Sequence, residues 1–475
     1  MTDRPVTIKK VYPLPPGPVK MPPPFFCLFT FLFNSSNGLE PLLLENFIHL
    51  CGKLVFKTAG LGIPSSLIEV NRKAMCSPFL KNWETTSLGN NIIINYSIIK
   101  EGITPYPPER KVKIIMKHFD EYTAAVVQPR MRSVAHRKEI QPLLQRYLQL
   151  IDYVTDEGAA SNREFAPVKL IAFPEFFLQG YDSRWNLKKI LKDIAITLPG
   201  EETEALAQRA RQYGIYIAGT VLEIDPYWPD RFFNTALIID PRGEIIHRYR
   251  KFTVATYLGE ISTSPHDMYD QYVERYGETL EAFFPVTDTE IGRLGTLICM
   301  DANLPENARA LALNGCEVLI RMNAYPEPLV SAPFNYWEGQ NRTRAWENLL
   351  YVVAPNIGLF EADEPSPQTM CPGHSMIVGY DGSVLAETPY PGEAATSALI
   401  NLSLLRKRRK EIGRNFLVQL KTEVYKLIYE KPIHPINACA EKPYQDAKDY
   451  MQREPLQSTI EEFIKKGIFA EPRPL

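Results

Sequence analysis

Gly295-Thr-Leu-Ile-Cys299-Met-Asp-Ala-Asn-Leu-Pro-Glu306 is the stretch on which the reading of this 475-residue chain turns. Gly295 to Ile298 predict the end of a short buried strand. Pro305 carries the fixed φ that suits a first helical position, and Glu306 sets negative charge beside the helix N-terminus. Asn307 to Leu313 continue the helix, Asn314-Gly315 stop it, and Cys316 to Met322 form the next apolar strand. Cys299 therefore falls where a strand ends and a turn begins, held rigidly yet reachable. An unpaired cysteine is most often a small buried hydrophobe. Its surroundings decide whether it does chemistry.

The same alternation runs outward from that unit. Upstream, Tyr122 to Gln128 predict a strand, Arg137 to Thr155 a long helix with apolar residues at helical spacing, and Val168 to Phe173 a strand ending in Pro174-Glu175. Glu201 to Tyr213 form a helix stopped by Gly214, followed by a strand over 215–222. Phe232 to Ile239 and Glu244 to Tyr249 flank the turn Asp240-Pro-Arg-Gly243 as a hairpin. Downstream come a helix over 342–348, a strand over 349–354, and a second hairpin, 375–379 with 383–386, around Tyr-Asp-Gly. Hairpins mixed with helical crossovers predict an α/β fold of mixed sheets covered by helices, not a purely parallel barrel.

Composition narrows the function classes. An apolar fraction of 45% is ordinary for a globular protein, and a net charge of −2 gives no global pull towards nucleic acid or membranes, so neither is expected as a partner. The seven cysteines show no C-x-x-C spacing, and H-E-x-x-H, G-x-G-x-x-G and a phosphate loop are missing. Neither a disulfide framework nor a zinc site is supported, and reduced thiols predict a reducing, cytoplasmic setting. His374 and the other histidines read as isolated and structural.

Three segments follow from the pattern: an N-terminal extension over 1–118, a regular body over 119–403, and a C-terminal helix and tail over 404–475. The extension is irregular, with a proline-rich stretch at 12–24 and a nine-residue apolar run at 25–33. That run is too short to span a bilayer as a helix and lacks a small-residue cleavage site, so it predicts a poorly ordered or externally packed segment. A shorter product starting at Met116 is compatible with this. Asn34-Ser-Ser and Asn95-Tyr-Ser match glycosylation acceptors, a pattern common by chance. In the tail, Arg406-Lys-Arg-Arg-Lys410 reads as a solvated helix face.

Two further reactive side chains share the placement of Cys299. Glu175 sits in Ala-Phe-Pro-Glu-Phe-Phe-Leu-Gln-Gly-Tyr, where apolar surroundings disfavour the charged form and raise a carboxyl towards the range of a general base. Lys251 closes a hairpin strand in Arg-Tyr-Arg-Lys-Phe. Alone, the first reads as a turn cap and the second as a solvated strand-end lysine. Together they meet a chemical need. A thiol attacks a carbonyl or nitrile carbon as thiolate, a neighbouring ammonium lowers its pKa and stabilises the oxyanion, and a carboxylate moves the protons.

In this order and at these strand ends the chain resembles the nitrilase superfamily of carbon–nitrogen hydrolases. Phe-Pro-Glu-Phe-Phe, Tyr-Arg-Lys and Leu-Ile-Cys-Met-Asp-Ala-Asn-Leu-Pro-Glu match its three motifs, and the likeness runs from Tyr122 to the basic helix after 403. The resemblance implies a four-layer α-β-β-α sandwich, a homodimer or higher homo-oligomer, and a covalent thioester with no metal and no organic cofactor. By position it implies Glu175 as general base, Lys251 as oxyanion stabiliser, Cys299 as nucleophile and the backbone N–H of Met300 as second oxyanion donor. Many members carry a second glutamate shortly after the lysine, and Glu260 is the candidate here. The intervening Phe-Thr-Val-Ala-Thr-Tyr-Leu-Gly-Glu departs from the Pro-rich loop of amidase-like members, which implies a rebuilt loop.

Cys299-Met300-Asp301 stands nearer the amide-hydrolysing pattern than the Cys-Trp-Glu common among nitrilases, and Asn341-Arg-Thr-Arg-Ala-Trp-Glu-Asn-Leu is similar to aliphatic amidase and formamidase sequences. The expected substrate is a small primary amide. A nitrile is the alternative, and a catalytically inactive scaffold is the reading from another class. Tyr257, Tyr325 and Trp337 are candidate walls of the substrate pocket, and the long segment 261–284 reads as a lid, a partner contact or a surface insertion.

Overall fold

A computed structural model of the chain describes residues 118–157, 166–255, 259–325, 333, 335–361 and 373–471, and the backbone of two further strands, β1 (Leu80–Leu88) and β2 (Asn91–Ile98). The chain divides into two units, Met1–Lys117 and His118–Leu475. In the first, β1 and β2 pair antiparallel. The proline-rich stretch, the apolar run at 25–33 and the Asn34 acceptor lie outside the described residues, and so does the expectation of disorder attached to them.

The second unit is built on two six-stranded sheets. In chain order its strands are β3 (Glu121–Gln128), β4 (Arg130–Arg132), β5 (Val168–Ala172), β6 (Tyr216–Glu223), β7 (Phe233–Ile239), β8 (Ile245–Arg250), β9 (Val286–Thr289), β10 (Gly292–Ile298), β11 (Val318–Met322), β12 (Tyr351–Ala354), β13 (Leu359–Glu361), β14 (Met376–Val378), β15 (Val384–Glu387) and β16 (Ala394–Asn401). One sheet has the order β16-β3-β5-β6-β7-β8 and the other β15-β14-β12-β11-β10-β9, while β4 and β13 form a small parallel pair. Both large sheets are mixed. β3, β5 and β6 run parallel, as do β10, β11 and β12, while sequence neighbours (β6–β7–β8, β9–β10, β14–β15) and the longer-range pairs β3–β16 and β12–β14 are antiparallel.

Alternation along β3 explains the layering. Ala124 and Val126 point into a core that also holds Leu294, Ile320, Val352 and Ile377 of the other sheet. Ala125 and Val127 point the opposite way, beneath the helix α1 (Ile140–Asp152) and the helix α2 (Glu201–Tyr213). The far sheet is covered by α4 (Pro305–Leu313) and α5 (Tyr336–Asn348), and α3 (Tyr269–Tyr276) lies in the long segment between the sheets' sequences. The result is the expected four-layer α-β-β-α sandwich. Gly295 lets α4 approach β10, because a Cβ there would stand 3.0 Å from the Cys316 sulfur and 3.1 Å from Leu311.

Several expected elements change at their edges. The helix read over 137–155 is α1 flanked by a 3-10 turn and a π turn, and the helix read from Arg342 begins six residues earlier, at Tyr336. β16 went unread because its Ala-Ala-Thr-Ser-Ala start has no apolar alternation; it takes its place by pairing with β3. The basic run forms the helix α6 (Leu402–Arg409), and it is not simply a solvated face. Arg406 bonds both oxygens of Glu317, and Arg409 bonds the carbonyls of Leu349 and Cys316, so two of the arginines fasten the tail to the body. The segment 261–284 packs Met268 and Tyr272 of its own turns against Trp228 and Phe233, with Ala440 of the tail alongside.

Candidate active site

Three strand ends converge. Lys251 follows β8, Glu175 lies three residues beyond β5, and Cys299 follows β10 of the facing sheet. The chain turns sharply at two of them, since Phe176 (φ +59°) and Cys299 (φ +49°) both adopt the left-handed conformation that residues with a Cβ avoid. The N–H of Phe176 is held by Thr220 Oγ1 at 2.8 Å, and the N–H of Glu175 donates to the carbonyl of Asn323 at the end of β11.

The side chains meet out of solvent: Glu175, Lys251, Glu260 and Cys299 are each 2% exposed or less. Lys251 Nζ donates to Glu175 Oε1 at 2.8 Å and to Glu260 Oε2 at 2.5 Å. The amide of Asn234 bridges the same two carboxylates, at 2.9 Å to Glu175 and 3.1 Å to Glu260. Glu260 also accepts from the Ala255 N–H at 3.0 Å and from Ser262 Oγ at 2.8 Å. The rebuilt loop thus returns Glu260 to the lysine. Tyr257, in the same loop, lies outside the described residues.

These environments push the two carboxyls apart. Burial raises both, but the Lys251 ammonium and the other donors around Glu260 outweigh it and hold that carboxyl below its ordinary value. At Glu175 burial wins over Lys251, with the charge of Glu260 adding to it, so its carboxyl is raised, although the Cys299 thiol also donates to it. Burial works against the ammonium of Lys251, yet the paired carboxylates keep its pKa well above the ordinary value. The Cys299 thiol is pushed well above its usual pKa by burial first and then by Glu175, against the pull of Lys251. The ammonium thus pulls the thiol down as expected, but burial and Glu175 outweigh it. Two carboxylates share that ammonium, and a thiolate would add a second net negative charge.

Some contributors were not read from the sequence. Asp301 is fully buried and accepts from the N–H groups of Phe252, Thr253 and Ile298 and from the Tyr249 hydroxyl, so it ties the loop after Lys251 to the turn that carries Cys299. Burial, against Lys251, raises its carboxyl to about 6. Arg321 lies inside β11 with its guanidinium buried, donating to Asn341 Oδ1 at 2.7 Å and Gln340 Oε1 at 2.6 Å, and no carboxylate bonds it among the described residues. Its charge acts on Cys299 in the direction of the thiolate. Tyr325 and Trp337 both lie against that guanidinium, at 5.3 and 4.9 Å from it, and Tyr325 donates to Asn303 Oδ1 at 2.5 Å. Met300 is the second residue of the 3-10 turn Cys299–Asn303. Asn234 had one sequence signal, an amide inside the apolar run of β7.

The carbon–nitrogen hydrolase family model matches residues 123–410. The chain belongs to this family. The hydrolase is 29% identical over 275 residues to the formamidase of Helicobacter acinonychis (strain Sheeba), spanning 58% of this chain and 72% of that one. It is 26% identical over 337 residues to the formamidase of Bacillus cereus (strain B4264), spanning 70% and 89%. Its fold is similar to that of the C. elegans NitFhit protein, with a TM-score of 0.50 at 24% identity over 65% of this chain and 67% of that one. The hydrolase is thus an enzyme acting on C–N bonds, within the nitrilase superfamily and near its amidases and formamidases. Among its described residues no helix is long and apolar enough to cross a membrane.

Proposed function

We propose that the hydrolase converts a small primary amide to a carboxylic acid and ammonia through an acyl-thioester on Cys299. The observation that carries the reading is the buried Glu175–Lys251–Glu260 bridge beside the thiol. Glu260, fully bonded and held below the ordinary carboxyl range, anchors Lys251, whereas Glu175, raised by its burial, is the group suited to exchange protons. In the first half-reaction Glu175 takes the thiol proton as sulfur bonds the amide carbon. The oxyanion is met by Lys251 Nζ and the Met300 N–H. Glu175 then returns the proton to the nitrogen, the C–N bond breaks and ammonia leaves. In the second half-reaction Glu175 takes a proton from water as the hydroxyl bonds the acyl carbon, the C–S bond breaks, and the proton goes back to sulfur. Names of the relatives support an amide over a nitrile, and formamide is the smallest case to try. Buried free Cys316 and Cys439 support a reducing, cytoplasmic setting, and the family resemblance supports a homo-oligomer.

The test is ammonia release from formamide, acetamide, longer amides and the matching nitriles, by wild type and Cys299→Ala. Amide turnover that disappears in the variant is the expected result. Turnover of nitriles alone overturns the amide reading, and turnover that survives Cys299→Ala overturns the thiol mechanism.

A further inference from the structure

Away from the catalytic groups, the C-terminal tail returns to the segment that follows Glu260. Asn437 N–H donates to the carbonyl of His266 at 3.0 Å, and Cys439 N–H to that of Asp267 at 3.0 Å. The Asn437 side chain closes the same junction, accepting from the Asp270 N–H at 3.0 Å and donating to the Asp270 carboxylate at 2.9 Å. Arg231, 2% exposed, holds the tail from the other side through the carbonyls of Cys439 and Ala440. Both backbones are therefore held by contacts other than those of the three side chains that follow.

On this frame three ligand-type side chains meet. His266, Asp267 and His434 each present one donor atom, and these atoms all lie within 4.8 Å of one another. Asp267 is 8% exposed and both imidazoles are half-buried. The rings stand 5.5 Å apart, and neither imidazole hydrogen-bonds another described residue. Tetrahedral zinc, with bonds of about 2.0–2.2 Å, sets its donor atoms roughly 3.4 Å apart. Donor atoms up to 4.8 Å apart need to draw together by roughly an ångström to reach that spacing.

We propose that His266, Asp267 and His434 form a divalent-metal site that clips the tail onto the segment after Glu260. Two imidazoles and one carboxylate select zinc-like ions over magnesium or calcium, which take all-oxygen shells. The half-exposed imidazole edges leave the fourth position to water. The site is separate from Cys299 and does not depend on the substrate reading. It is linked to the catalytic groups through packing, because the His266 ring stands edge-on to Phe252, the residue after Lys251, at 5.9 Å. No H-E-x-x-H pattern encodes it, since two ligands are adjacent in sequence and the third comes from the tail.

The experiment titrates the dialysed, metal-free full chain with ZnCl2 by calorimetry and follows Tm in parallel. One Zn2+ per chain and a rise in Tm are expected in wild type and in Cys299→Ala. His266→Ala and His434→Ala, checked for folding by circular dichroism, are each expected to weaken binding by more than the ~10–100-fold that loss of an outer-shell partner costs. Co2+ in place of zinc gives visible d–d bands without a thiolate-to-metal band. Zinc lost in Cys299→Ala but kept in His434→Ala would show that the catalytic thiol is the ligand, and would overturn the proposal. So would a folded wild-type chain that binds none.

Discussion

At the scale of single residues, the state of the Cys299 sulfur before substrate arrives is set first by its burial and then by the charges buried around it. One ammonium serves two carboxylates, so the thiol keeps its proton until Glu175 takes it. Alkylation of Cys299 by iodoacetamide is therefore expected to keep rising with pH, with no plateau at or below about 8.5, the ordinary thiol value. Glu175→Gln removes both the base and the negative charge that opposes the thiolate. Amide turnover should fall by about 10²–10⁴-fold, while the alkylation midpoint moves to lower pH. A variant that loses turnover with an unchanged midpoint would remove Glu175 from contact with the thiol. Lys251 can be tested through stability. Lys251→Met leaves two buried carboxylates facing each other, and an uncompensated buried charge costs about 3–5 kcal/mol. Adding Glu260→Gln should recover part of that loss in urea unfolding, and purely additive losses would contradict the shared bridge.

Between elements, His247 is the polar contact that reports on how the two sheets meet. It lies on β8 of one sheet, and its ring nitrogens stand 2.9 Å from Thr287 Oγ1 on β9 and from Thr296 Oγ1 on β10 of the other. Burial lowers its pKa from 6.5 to about 4. The unfolded chain then binds the extra proton first as pH falls. The stability tied to neutral His247 is complete above pH 6.5 and drains away between 6.5 and about 4. The full effect is on the order of 3 kcal/mol. Asp301 runs the other way, because its folded pKa, about 6, lies above its ordinary 3.8, and its contribution declines as pH rises through that window. Wild-type stability alone would mix the two. The stability of wild type minus that of His247→Gln isolates the first, and it should fall as pH drops from 7 to 4. A flat difference would show that His247 is not buried in its neutral form.

For the whole molecule, what the sequence made legible was whatever a local pattern encodes. Glu175 and Cys299 each follow an apolar run closed by a turn, and Lys251 closes a hairpin strand, so their strand ends were readable. Asn234 and Arg321 sit inside strands, where a polar residue looks like any solvent-facing position, and only the facing layer reveals what they touch. Asp301 was visible in the motif but not its work, which depends on amides some fifty positions away. The long-range organisation also decides what can be removed. Every catalytic candidate, both large sheets and the tail contacts fall within His118–Leu475, and the catalytic bridge uses no residue before Glu175. A chain starting at Met116 keeps Phe119, whose N–H bonds the Glu290 carbonyl, and all of β3, the inner strand beside β16. It should match the full chain in kcat/KM for the preferred amide and in the Tm of its main transition. Loss of either, with helix and strand signals intact in circular dichroism, would mean that residues before 116 complete the working enzyme. Loss of the fold itself would mean that the first unit is needed to build the second.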